Sequence, residues 1–144
     1  MEINVNLLYN TQMEQKDKKV RLAEAAEKLG VDLILLFGSR ADESNRPDSD
    51  FDIAYRSEKP IESFGDIFRP LADYIGSDDL HIVDIRNVEP FFFYRIMNNC
   101  KVLYIKDMVE FYDLQSYAFR IFEDEVKPLF KIKIDRLKRE YLSK

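Results

Sequence analysis

The chain has 144 residues, enough for one domain, and its 46% apolar and 13% aromatic residues supply a real core. Lys and Arg number 22 against 27 Asp and Glu, so the net charge of −5 argues against direct nucleic-acid binding driven by charge alone. The single cysteine, Cys100, excludes an internal disulfide framework and fits a reducing compartment.

Residues 1–10 carry no basic segment followed by a long apolar stretch, and no run elsewhere reaches bilayer length. The expectation is a soluble, cytoplasmic protein with no membrane partner. Residues 15–29 are rich in helix formers, with Val20, Leu22, Ala26 and Leu29 near helical spacing and Gly30 placed as a C-cap. The apolar run 31–37 reads as a central strand covered on both faces, and Gly38 and Ser39 stand at its end.

Residues 40–49 are polar and include Asn45 and Pro47, a loop composition, and 50–55 reads as the next strand. Ser63 is placed to cap a helix on which Phe64, Ile67, Phe68, Leu71 and Ile75 line one face. Pro70 can bend that helix, and Gly76 stops it. A strand over 80–85, a short helix opened by Pro90 and running through Met97, and an edge strand over 102–105 follow. From Asp107 the pattern is helical, interrupted near Pro128 and resuming through Leu142.

Charge is unevenly distributed. Asp42, Glu43, Asp48, Asp50 and Asp52 crowd one segment and suit a cation, whereas Lys127, Lys131, Lys133, Arg136, Lys138, Arg139 and Lys144 make the C-terminal stretch basic and suit an acidic partner or water. Phe111, Tyr112, Tyr117, Phe119, Phe122, Phe130 and Tyr141 exceed what one narrow stripe needs, so about half are expected in the core and the rest on a partner surface.

The chemistry concentrates on Gly38, Ser39, Asp50 and Asp52. Alternation along a strand projects Asp50 and Asp52 to one side while Phe51 and Ile53 point back into the core. Two converging carboxylates suit Mg²⁺, which keeps waters and binds the oxygens of a nucleoside triphosphate. Gly38 lets a backbone amide approach phosphate, Ser39 adds a hydroxyl, and Arg40 can hold a phosphate oxygen or serve as an ordinary loop arginine. One histidine and one cysteine cannot build a Cys/His zinc site, and no P-loop, dinucleotide-binding glycine pattern or nucleophile elbow is present.

With Phe37-Gly38-Ser39-Arg40-Ala41, Ser49-Asp50-Phe51-Asp52-Ile53-Ala54, Val83-Asp84-Ile85-Arg86 and Val102-Leu103-Tyr104, nearly the whole chain resembles the minimal nucleotidyltransferase (MNT) antitoxins of HEPN/MNT toxin–antitoxin modules, within the DNA polymerase β-like superfamily. The resemblance implies an α/β (α+β) fold: a small mixed sheet flanked by helices over about 15–106, then a C-terminal helical segment over about 107–142, all in one minimal domain. It implies Mg²⁺ on Asp50 and Asp52, the triphosphate of ATP at Gly38 and Ser39, and transfer of AMP to a tyrosine of a cognate HEPN ribonuclease toxin, with a toxin–antitoxin hetero-oligomer as the assembly. The alternatives are an inactive or weak transferase acting by direct binding, and a transferase acting on a small molecule.

The superfamily's third catalytic carboxylate comes from the strand equivalent to 80–85. Asp84 is the carboxylate available there, and His81 is the alternative, since it occupies the family's usual position. Strand alternation puts the two on opposite faces, so one replaces the other only through a bulge.

Overall fold

The computed structural model describes residues 4–44 and 46–142. Met1 at the start of the N-terminal segment, Asn45 of the loop and Lys144 of the basic stretch lie outside them. The elements run α1 (Val5–Leu29), β1 (Val31–Phe37), β2 (Phe51–Ser57), α2 (Phe64–Ile75), β3 (Leu80–Asp84), α3 (Pro90–Asn98), β4 (Cys100–Ile105), α4 (Met108–Ile121) and α5 (Lys127–Leu142). The four strands form one mixed sheet in the order β3-β2-β1-β4. β1 is antiparallel to β2 and β4, and β2 is parallel to β3.

The apolar run of β1 is central, as its continuous hydrophobicity requires, because both faces of the sheet are covered. Leu33, Leu35 and Phe37 pack with Ala54, Phe93, Ile96, Met97, Phe111 and Ala118, the layer made by α3 and α4. Ile34 and Ile53 pack with Leu22, Ala26, Ile67 and Leu71, the layer made by α1 and α2. A register shift between Val31 and Leu33 brings Val31 into this second layer, although simple alternation would put it in the first.

Three local features differ from the sequence expectation. The first helix begins at Val5, ten residues before the expected start, because Asn4 accepts a hydrogen bond from the Leu7 amide and no Gly or Pro breaks the following run. Ser63 stands at the N-cap position of α2, but its hydroxyl makes no capping bond. Phe64 lies exposed beside Phe68 rather than on the buried face of Ile67 and Leu71.

Pro128 does not interrupt the C-terminal helix. A π-turn over Phe122–Val126 joins α4 to α5, widening the helix just before the proline whose missing N–H and ring disturb the ordinary ladder. Of the seven C-terminal aromatics, Phe111 is buried and Phe122 partly so, whereas Tyr112, Tyr117, Phe119, Phe130 and Tyr141 are exposed. Among the described residues, no helix is long and apolar enough to cross a membrane.

Candidate active site

Sheet register brings the chemistry together. Phe37, the last residue of β1, pairs with Asp52 of β2, and Asp52 pairs on its other side with His81 of β3. The His81 Nδ1 lies 3.4 Å from Asp52 Oδ1. Ile53 enters the α1/α2 layer, so alternation turns Asp52 to the α3 side; Asp50 stands one residue before the strand, exposed and outside the cleft lining.

Gly38 opens a 3₁₀ turn over Gly38–Arg40 with φ +72°, the left-handed region that favours glycine. A Cβ at this position would lie 2.5 Å from Asp52 Oδ2. The glycine is therefore set by two demands at once, a turn at the end of β1 and room for the carboxylate.

The opposite wall comes from α3 and the residue that ends it. Phe37, Gly38, Asp52 and His81 face Phe92, Tyr94, Arg95, Asn98 and Asn99 across an open cleft of about 420 Å³. Phe92 meets Phe37 edge-on at 5.7 Å, and Tyr94 stacks on Phe122 at 4.1 Å, so the aromatic part of this wall is held by packing. Asn99 donates to Asp42 Oδ2 at 3.1 Å, tying the β1–β2 loop to the end of α3. Hydrogen bonds from the Ser44 hydroxyl and amide hold the Asp42 carboxyl below its ordinary range, with Asn99 adding to them.

Arg95 adds a cationic residue to the cleft lining that the sequence left unmarked, with its guanidinium 5.9 Å from the Phe91 ring centre. The signal was present in the spacing, since Phe92, Arg95 and Asn98 recur at i, i+3 and i+6 on one face of a helix opened by Pro90. What the sequence lacked was the packing that aims this face at Asp52.

Arg40 makes its hydrogen bonds within its own loop. Its Nη2 donates to the Ser49 carbonyl at 2.8 Å and the Pro47 carbonyl at 3.4 Å, and its guanidinium lies 4.2 Å from the Phe51 ring centre. It is absent from the cleft lining and fastens the loop that delivers Asp50 and Asp52. Ser39 sits in the 3₁₀ turn, half-buried, beside Gly38.

Asp84 does not join Asp52. The β2–β3 pairing runs without a bulge from Phe51↔Leu80 to Tyr55↔Asp84, so Asp84 is three residues farther along and on the other face. Its carboxylate accepts from the Arg86 amide, Nε and Nη2. That pairing raises the Arg86 pKa, while burial first and Asp84 second raise that of Tyr55. Placing Asp84 as the third site carboxylate is thus corrected: His81 is the residue of β3 that reaches the site.

Among the described residues, no group of three or more His, Cys, Asp and Glu side chains is assembled to hold a metal ion. The donors present still fit Mg²⁺, which is ordinarily held by one or two carboxylates and completes its octahedron with waters and substrate phosphates. Asp50 and Asp52 are the residues that would hold it.

The polymerase beta nucleotidyltransferase model matches residues 18–109, which contain both the Gly38 turn and the Asp50–Asp52 pair. Solved structures share the fold. A chain of a toxin–antitoxin solved with AMP-PNP superposes with TM-score 0.64 at 18% identity, covering 83% of this chain and 97% of that one. A chain of the complex of tri-AMPylated Shewanella oneidensis HEPN toxin with MNT antitoxin gives 0.60 at 17%, covering 85% and 98%. A chain of the MntA–HepT toxin–antitoxin gives 0.60 at 17%, covering 85% and 97%. The comparison with curated proteins finds no match.

Proposed function

Since this chain belongs to the polymerase beta nucleotidyltransferase family, we propose that it transfers AMP from ATP to a tyrosine of a cognate HEPN ribonuclease toxin and so acts as the toxin's antitoxin. The observation that carries the reading is the Gly38–Asp52–His81 cluster facing Arg95 across an open cleft. The structural neighbours point the same way, one holding an ATP analogue and another an AMPylated HEPN toxin.

In this reaction the tyrosine oxygen attacks the α-phosphorus, the α–β phosphoanhydride bond breaks and pyrophosphate leaves. Mg²⁺ bound at Asp50 and Asp52 would neutralise triphosphate charge and favour in-line displacement. Gly38 and the turn after it offer backbone amides to the phosphates at a position where a side chain would intrude. Arg95 supplies positive charge from the other wall. His81, beside Asp52, takes the proton of the attacking hydroxyl, with Asp52 orienting the imidazole.

Incubation with ATP labelled on the α-phosphate, Mg²⁺ and a cognate HEPN toxin tests the proposal. Label should appear on a toxin tyrosine and vanish with Asp50→Ala/Asp52→Ala. No label with the native chain would sink the enzymatic claim. Among the described residues no third carboxylate stands beside Asp52, and this favours one second reading, an antitoxin that neutralises by binding alone. In that case the double Asp variant would suppress toxicity as well as the native chain does.

A further inference from the structure

Helix α5 is an extended feature that neither the sheet nor the cleft uses. None of its residues is buried, and Phe130, Ile134, Leu137 and Tyr141 recur at helical spacing on an exposed face. Helices of this kind owe most of their stability to packing of the apolar face. Between α5 and the N-terminal end of α3 lies an open groove of about 620 Å³, lined chiefly by Pro90, Phe91, Val126, Leu129, Phe130 and Ile132. Glu89, Glu125, Lys133 and Arg136 also contribute to it.

Two observations select the occupant. The first is charge: residues 127–142 carry six Lys and Arg against two acidic residues, in a chain whose net charge is −5. Pairing of α5 with α5 of a second copy would oppose like charges, whereas an acidic helix complements it. The second is continuity with the site. α3 serves both places, with Phe91 in the groove and Phe92, Tyr94 and Arg95 in the cleft. Phe91 meets Phe130 at 5.2 Å and Tyr94 stacks on Phe122, so groove and cleft share one aromatic wall.

We propose that the groove, with the Ile134, Leu137 and Tyr141 side of α5 lying outside it, docks the protein substrate through an amphipathic helix. Its apolar side lies against Phe91 and Leu129, and its Asp and Glu flank faces Lys133 and Arg136. The inference rests on reading the chain as an enzyme that acts on a protein, and it supplies the recognition surface that the cleft lacks. Nucleic acid would meet the positive charge but has no apolar ridge to fill the groove.

The test is calorimetric titration of the full chain with the purified HEPN protein, without nucleotide, at low and physiological salt. Lys133→Glu/Arg136→Glu should weaken binding by about tenfold or more and reduce its salt dependence, as expected for loss of complementary charge. Leu129→Ser should weaken it without that change in salt response, and all variants should melt with the native chain. Intact docking without AMP transfer would retain this surface and sink the catalytic reading. Native binding unchanged in both variants, or no binding by the native chain, would overturn the docking proposal. So would a dimer of the chain alone, or binding of a transfer RNA, that the double reversal abolishes.

Discussion

Replacing Gly38 by Ala separates backbone strain from damage to the site, because another glycine has the first problem without the second. Gly38 has φ +72° and Gly76 has φ +79°, so alanine at either is held in the left-handed region at a cost of about 1–2 kcal/mol. For a domain of this size that is a fall in Tm of about 3–7 °C. At Gly76 the new Cβ meets nothing within 4 Å; at Gly38 it lies 2.5 Å from Asp52 Oδ2. The carboxylate end can swing, so the fold survives, but it must retreat by roughly 1 Å to reach ordinary contact, and a displacement of that size costs on the order of 100-fold in rate. The assay pairs thermal melting with transfer of labelled AMP. Both variants should lose similar stability, and only Gly38→Ala should lose transfer. If Gly38→Ala turns over as fast as Gly76→Ala, the assignment of Gly38 and Asp52 to one catalytic unit is wrong.

His81→Ala should lower kcat by about 100-fold or more if the imidazole receives the acceptor proton, while Asp84→Asn, at the far end of β3, should leave transfer near the native rate; single-turnover kinetics with the HEPN protein distinguishes them. Arg40→Met should leave nucleotide affinity nearly unchanged and loosen the loop that the guanidinium fastens, seen as faster amide exchange over 46–50. Burial pushes the Cys100 thiol up to about 11, so alkylation at pH 8 should be slow and should accelerate as the pH approaches that value. Because the unfolded thiol ionises near 9.0, this group's contribution to stability is intact below pH 9 and declines as pH rises through the folded value. Leu71→Ala, at a fully buried position between α2 and the sheet, should cost about 2–5 kcal/mol by urea unfolding.

Local chemistry made part of this architecture legible. The run 31–37 could bury both faces only as an interior strand, and the structure reproduces it as β1 at those bounds. Gly38 and Asp52 were legible because a turn glycine after such a strand and a carboxylate on the next one are local patterns. Arg95 was hidden for the opposite reason: its helical spacing was visible, but nothing in 90–98 says which strand end the helix faces. Arg40 was open in sequence because both of its roles use the same hydrogen-bond donors; its contacts with the Pro47 and Ser49 carbonyls depend on a loop path that the sequence does not give. The continuity of α4 and α5 was hidden by Pro128, which reads as a break unless a wider turn absorbs it, and Phe122–Val126 provides that turn.

The uninterrupted β2–β3 register also changes what the site requires electrostatically. A carboxylate where His81 stands would face Asp52 at close range, and the two like charges would need a cation between them to persist together. An imidazole at 3.4 Å imposes no such requirement, since it is neutral or attractive toward Asp52 according to its proton. Both groups are partly exposed, so water moderates the difference without reversing its sign. The strand ends can thus hold their geometry before metal or nucleotide arrives, with Gly38 shaping one side of Asp52 and His81 the other. On the proposed reading, Asp50 and Asp52 would be the acidic donors for the metal, and His81 would give the proton of the attacking hydroxyl a separate acceptor. On that reading, with no third carboxylate beside Asp52 among the described residues, the proton-accepting part of that carboxylate's work would fall to the imidazole.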